Sequence, residues 1–341
     1  MHAVPRHNNF DIIRLFAALM IFAYHPIIWY TQQYSVALTS LQLYILGRLG
    51  HAAVAIFFAV SGYLITLSIL RDYSIGTFII KRIARVLPAQ VCVTLCIALL
   101  IGPVCTSITI QAYFSSVSLY QFIVLESLII ANAKTLPGLW NGTIITSTTW
   151  SLFLEVKLYI LVMLLSILGF YNKKFGYLIF CIGYTLCIVI IPSSVISKLL
   201  HINIAPWYSY SYIFVISGLY AVYKHYVPIS WPISIVLSIL FYYCPISWPV
   251  HQLLEALFYV NVVLCIAYKF VYTYSIKYDI SYGIFLWHTP INLILFHNFN
   301  YNGSPMYLLL CSALCTLACA LLSHILVELP CKKILYNQYV N

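Results

Sequence analysis

The sequence predicts an all-α fold: a polytopic membrane protein of about ten transmembrane helices with both termini cytoplasmic. Three observations predict it. Of the 341 residues, 63% are hydrophobic and only 7% charged, against about a quarter charged in an ordinary soluble domain. The apolar residues come in continuous runs of about 20, the length that spans a hydrocarbon core, and not in the alternating segments of about 10 that a barrel strand needs. Arg6, Arg71, Lys81, Arg82, Arg85, Lys173, Lys174, Lys224, Lys269, Lys277, Lys332 and Lys333 fall in alternate connections, as the positive-inside rule requires of cytoplasmic ones. The other connections carry only Arg48, Lys134 and Lys198.

A water-soluble fold is excluded by the same numbers. Seven acidic residues (Asp11, Asp72, Glu126, Glu155, Glu255, Asp279, Glu328) cannot solvate the surface of so long a chain, and an aromatic content of 16% excludes a disordered one. The net charge of +10 does not indicate nucleic acid, because the cations are scattered between apolar runs and form no basic, aromatic-interleaved domain.

In chain order the crossings are expected near 11–30, 45–70, 86–104, 149–170, 176–193, 207–223, 231–248, 255–272, 280–298 and 306–328. The first run reaches Tyr30 without a small-residue cleavage site, so it is expected to stay as a helix. The stretch 119–131 is too short to cross and carries Glu126 at its centre; it is expected to be interfacial or re-entrant on the outer side. The eleven cysteines sit mostly within apolar runs. Neither Cys92/Cys96 nor Cys311/Cys315 has metal-site spacing, so they read as small hydrophobes and no metal is expected. Asn141-Gly-Thr143 and Asn302-Gly-Ser304 match the glycosylation sequon. Residues 1–341 are expected to form a single transmembrane domain with no additional soluble one.

The informative residues are the few ionisable ones inside spans, because a charge at mid-bilayer costs at least about 2.5 kcal/mol and calls for a cavity, a partner or a function. The first helix carries Asp11, Arg14 and His25. Eleven steps of about 100° bring Arg14 and His25 back to within about 20° of each other, about 16 Å apart along the axis, with Asp11 on the same stripe. One helix thus presents a cation near its cytoplasmic end and an imidazole near its outer end. The competing reading is a histidine hydrogen-bonded to a neighbouring helix and an arginine snorkelling to the interface.

Trp150-Ser-Leu-Phe-Leu-Glu155 opens the fourth span from the outer side and sets Glu155 about as deep as His25. A bundle that packs the two helices together would let the carboxylate hydrogen-bond the imidazole. Glu155 and Tyr159 share a helix face, whereas Lys157 does not; a buried structural ion pair is the other reading of Glu155. Ser61 and Gly62 in the second span suit close helix packing as well as substrate contact. Arg82 and Arg85, one helical turn apart just before Pro88, suit a polyanionic phosphate ligand or ordinary topogenic charge. Ser281-Tyr282-Gly283 and Trp287-His288-Thr289-Pro290 place His288 well inside the ninth span, and Glu328 with Pro330 ends the tenth.

Together these segments resemble the acyltransferase family 3, integral membrane enzymes that O-acylate bacterial surface carbohydrates. Phe10-Asp11-Ile-Ile-Arg14 with His25 looks like the family's first-helix signature. Phe57-Phe-Ala-Val-Ser61-Gly62 looks like its second-helix pattern, and Arg82-Ile-Ala-Arg85 with Pro88 like its paired-arginine loop. Trp150-Ser-Leu with Glu155 and Tyr159, then Ser281-Tyr282-Gly283 with His288, then Glu328 with Pro330, follow in the family's order. Val156 stands where family members often carry a second acidic residue.

The resemblance implies transfer of an acyl group, acetyl by default, from cytoplasmic acyl-CoA to a hydroxyl of a surface glycan, with lipopolysaccharide O-antigen the first choice. It places the chain as a multi-pass protein of the bacterial inner membrane. Its expected partners are the lipid bilayer, acyl-CoA as donor substrate and a lipid-linked or exported glycan as acceptor, with no nucleic acid and no permanently bound cofactor. Arg14, Arg82 and Arg85 would hold the donor phosphates. His25 would act as general base with Glu155 supporting it, either directly or through an acyl-histidine intermediate. Asp11, Ser61, Gly62, Trp150, Tyr159, Tyr282 and His288 are pocket or supporting candidates. The rival from another class is a transporter or flippase, in which the same residues would line a substrate or proton path. Matched Gly/Pro interruptions in two halves, expected of such a protein, are not evident.

Overall fold

A computed structural model describes residues 8–33, 37–72, 74–130, 135–191, 193–200, 205–243, 248–270, 272, 276, 278–298 and 305–339. Arg6, Lys134, Lys277, the Asn302 sequon and both chain ends lie outside the described residues. Within them the elements are helices: α1 (Phe10–Gln33), α2 (Ser40–Asp72), α3 (Ile75–Cys96), α4 (Gly102–Cys105), α5 (Ile110–Ser115), α6 (Val117–Ser127), α7 (Trp150–Ile167), α8 (Gly176–Ile190), α9 (Ser193–Leu200), α10 (Ala205–Val222), α11 (Trp231–Tyr243), α12 (Trp248–Tyr268), α13 (Ser281–Asn298), α14 (Pro305–Ser323) and α15 (Leu329–Tyr339). Two π-helical segments, Ile97–Ile101 and His324–Glu328, carry α3 into α4 and α14 into α15. Among the described residues there is no strand, only an isolated bridge between Thr106 and Leu139.

Local chemistry sets where several helices begin. Thr39 and Gln42 form a capping box on α2: the Gln42 N–H donates to Thr39 Oγ1 at 3.3 Å and the Thr39 N–H to Gln42 Oε1 at 2.9 Å, which satisfies two otherwise orphaned donors. Pro206, Pro232, Pro249 and Pro305 fall in the first turn of α10, α11, α12 and α14, where a missing N–H removes no helical hydrogen bond.

Among the described residues a helix falls within each predicted crossing, and six segments are long and apolar enough to span a bilayer: Phe10–Thr31, Ser40–Arg71, Ile75–Cys105, Trp150–Ile167, Val250–Tyr268 and Met306–Asn337. Two boundaries differ from expectation. The third helix begins at Ile75 and not near 86, so Arg82 and Arg85 ride on a helix that carries Pro88 within it. The segment expected at 255–272 begins at Trp248, which sets Glu255 two turns inside α12, 4% exposed. The stretch around Glu126 forms the 11-residue α6, about 16 Å long and too short for a hydrocarbon core of about 30 Å.

The chain divides into two compact units that interleave in sequence. The first holds residues 8–17, 52–75 and the described part of 157–277. Its core includes Leu165, Tyr177, Cys181 and Val215, with the Tyr177 hydroxyl donating to Val215 O at 3.1 Å. The second holds 18–51, 76–156 and 278–339. There α13 is buried almost without interruption from Ser281 to Leu293. Gly283 lets it approach α14 so closely that an added Cβ would lie 3.0 Å from the Ala320 backbone. Asn292 fixes the same pair, accepting from Ser312 Oγ at 2.6 Å. The far side of α14 exposes Leu310, Leu314, Leu317 and Leu321, an apolar stripe that requires lipid rather than water.

Candidate active site

In the second unit the structure brings two histidines together. His25 lies on α1, stacked on Trp29 one turn later (centroids 4.9 Å apart, 24° between planes) and flanked by Tyr24 at 5.0 Å. Gly50 of α2 makes room for this arrangement, since a Cβ there would stand 3.1 Å from the Tyr24 ring. The next ring is His288 of α13, 5.2 Å from His25 and tilted by 33°. The ring beside His25 is thus another imidazole, a neighbour that residue counting in the sequence did not indicate. Glu155 itself is half-buried on α7.

His288 is fully buried and its hydrogen bonds determine its tautomer. Nδ1 lies 2.7 Å from Phe285 O and 3.1 Å from Ile284 O. Both are pure acceptors, so in the neutral ring Nδ1 carries the proton, an assignment that follows from the network. Nε2 is then an acceptor, and the Thr289 hydroxyl at 3.2 Å must donate to it. Thr289 in turn accepts from the Thr148 hydroxyl at 3.0 Å. With both nitrogens occupied, His288 offers His25 a ring surface and not a second proton carrier.

Thr148 belongs to the turn that leads into α7, and the same turn is held by Glu126. This carboxylate is 2% exposed, with Oε2 3.3 Å from Thr149 Oγ1, whose hydroxyl also reaches Thr146 O at 2.8 Å. Gln90 of α3 donates to Glu126 O at 3.0 Å. Thr149 immediately precedes α7, so Glu126 sits where the positive end of the α7 dipole favours an anion. Tyr113 of α5 anchors this part of the chain to the end of α3, donating to Ala98 O in the π-helical turn at 2.7 Å. The sequence signalled Glu126 only as an ionisable residue in an apolar run, and nothing in it marked Thr148, Thr149 or Gln90.

Arg82 and Arg85 lie one turn apart on α3. Arg82 sits over the Phe78 ring at 5.7 Å. Arg85 and Asp279 are electrostatic neighbours of Glu328, whose Oε2 meets His324 Nδ1 at 3.2 Å. Tyr282, expected to line a pocket, donates its hydroxyl to Val86 O at 3.1 Å and so ties the start of α13 to the arginine turn. His288 is six residues further along α13, about 9 Å away along the axis.

The remaining candidates, Trp150 apart, lie in the first unit. Arg14 is 8% exposed and paired with Asp11 at 3.0 Å. Asn9 pins the start of α1 through Ile266 O at 3.1 Å and Tyr272 O at 2.9 Å. Gly62 packs α2 against α10: a Cβ there would fall 2.3 Å from Phe214 O, and Ser217 Oγ donates to Ala59 O at 2.5 Å. Of the two readings left open for Gly62, close packing is the one this contact supports. Ser61 is half-buried beside it and Tyr159 is buried on α7, while Trp150, in the second unit, begins α7.

Comparison with known proteins adds the chemistry. A family model described as an acyltransferase domain matches residues 7–324. Nodulation protein 10 of Rhizobium leguminosarum bv. viciae is 36% identical over 88 residues, 26% of this chain. The match spans 23% of that relative's length. No solved structure matches.

Proposed function

Because this chain belongs to the acyltransferase family 3, whose model covers residues 7–324, we propose that it is a membrane O-acyltransferase. The donor is a cytoplasmic acyl-CoA, with acetyl the acyl group, and the acceptor is a hydroxyl of a surface glycan such as lipopolysaccharide O-antigen. The protein would work in a bacterial inner membrane, crossing it ten times as one domain.

His25 is the proposed general base. It takes the proton of the acceptor hydroxyl as that oxygen attacks the thioester carbonyl; the C–S bond then breaks and the proton passes to the departing thiolate. In the two-step variant His25 is acylated first. Glu155 on the first turns of α7 is the carboxylate proposed to stabilise the imidazolium. His288 holds the His25 ring in place through its face. Trp150, at the start of α7 in the same unit, is the supporting residue proposed beside them. Arg82 and Arg85 are proposed to bind the donor phosphates, with Arg14, already paired with Asp11, as a third candidate. A guanidinium fork matches a phosphate in both geometry and charge.

The observation that carries this reading is the His25–His288 pair, 5.2 Å apart, in a unit that also holds two arginines one turn apart. The test is His25→Gln, which keeps volume and polarity but removes the base. Loss of the general base lowers transfer by about 10² to 10⁴-fold. NMR and mass analysis of surface glycan from cells carrying either form reads donor group, acceptor and site together. Unchanged glycan acylation at equal membrane level overturns the assignment of His25.

A further inference from the structure

The first unit contains a cavity of about 550 Å³ between the α7–α8 turn and the α10–α11 turn, a size that accommodates a small ligand. No residue of the proposed catalytic set lines it. The two turns are joined by a hydrogen bond from the Tyr223 hydroxyl to Lys174 O at 2.8 Å. Gly169 starts the first turn at φ +73°, and Gly176 closes it so tightly that a Cβ would fall 2.2 Å from Phe170 O.

The walls are mostly apolar. Leu178, Leu219, Val222 and Val227 form the aliphatic part, while Lys173 and Lys174 stand exposed at the rim. None of the chain's seven acidic residues is among the lining residues, so nothing neutralises the two ammonium groups from within the cavity. Lys224 and His225 are exposed in the adjoining turn. Tyr226, 82% exposed, and Phe175, 53% exposed, place aromatic rings at the mouth, the amphipathic residues that collect at a membrane–water boundary. The lysine distribution assigns both turns to the cytoplasmic side, the leaflet whose surface is anionic.

We infer that this cavity is a binding site for an anionic phospholipid, with the phosphate between Lys173 and Lys174 and an acyl chain along Leu178, Leu219 and Val222. A lipid fits better than a soluble nucleotide because Leu178, Leu219, Val222 and Val227 give an acyl chain an aliphatic wall, although Asn172 and the tyrosines also line the cavity. Lysines act as point charges that suit a phosphodiester monoanion, whereas forked recognition of a polyphosphate favours arginine. The site does not depend on the acyl-transfer reading.

The test uses the purified full-length chain in detergent micelles, titrated with phosphatidylglycerol or with phosphatidylcholine of the same acyl chains and read by native mass spectrometry. Wild type is expected to retain one phosphatidylglycerol in preference to phosphatidylcholine. Two lysines, each worth about fivefold at a membrane surface, give a loss of about twenty-fivefold in Lys173→Gln/Lys174→Gln. Val222→Trp, which fills the cavity and keeps both charges, should abolish the preference as well. Retention of the preference in Val222→Trp overturns the proposal, because it assigns the effect to surface charge alone. Displacement of phosphatidylglycerol by equimolar coenzyme A or inorganic phosphate also overturns it, in favour of a soluble phosphate ligand. Each variant is first required to elute at wild-type size, and if Val222→Trp does not, Val227→Trp at the rim replaces it.

Discussion

Thr289→Val tests the hydrogen-bond chain behind the site most directly, because valine copies the shape of threonine and removes only the hydroxyl. Two contacts are lost: the donation to His288 Nε2 at 3.2 Å and the acceptance from Thr148 at 3.0 Å. Side-chain hydrogen bonds between membrane helices average about 0.6 kcal/mol and reach about 1.7, while a buried polar atom left unpaired costs about 1–3 kcal/mol. The two losses together therefore come to about 1–3 kcal/mol. At about 2 °C per kcal/mol for a chain of this length, the melting temperature should fall by about 2–6 °C. Thr289→Ser keeps both hydrogen bonds and loses one methyl, about 0.8 kcal/mol, so it should melt above the valine variant. Thermal unfolding of the purified protein reads the order of the two. If burial and shape alone mattered, valine would be the more stable substitution, and that order refutes the chain. In the transfer assay Thr289→Val should lower kcat and leave the donor KM unchanged, since Thr289 acts through His288.

Arg82→Ala with Arg85→Ala should weaken coenzyme A binding by about a hundredfold, about 3 kcal/mol for two charge-assisted contacts, as measured by calorimetry. Normal binding together with altered topology would assign those cations to membrane orientation instead. Glu126→Ala should cost about 1–3 kcal/mol by leaving the α7 turn without its carboxylate, whereas Glu126→Gln, which keeps an acceptor for Thr149, should stay close to wild type in the same melting experiment. Gly62→Ala should cost about 1–3 kcal/mol, because the atom its Cβ meets at 2.3 Å is backbone, Phe214 O, and has little room to yield. Gly183→Ala is the control, with nothing within 4 Å of the added carbon; equal melting of the two variants would show that the α2–α10 approach is not tight.

The class of fold was legible in the sequence because it follows from composition and run length. A chain with 7% charged residues leaves helices in lipid as the simplest way to satisfy its backbone. Helix starts were legible at α10, α11 and α14, expected at 207, 231 and 306 and beginning at Ala205, Trp231 and Pro305, and less so at α12 and α3, expected at 255 and near 86 and beginning at Trp248 and Ile75, with Pro88 inside α3. Membrane helices tolerate an internal proline when neighbouring groups satisfy the freed carbonyl, so the residue loses its value as punctuation. For the candidate site, the sequence offers residue types and leaves their pairings open. Residue counting along helices gives depth, one coordinate of three, and does not say which helix carries the neighbour of His25. Which helix lies next to α1 is decided by close contacts such as Gly50 against Tyr24 and by bonds such as that from Thr148 to Thr289, 141 positions apart. A threonine in an apolar run carries no mark of such a partner. Glu126 did stand out, as an ionisable residue in an apolar run, but the sequence did not say that its carboxylate lies against the turn that leads into α7.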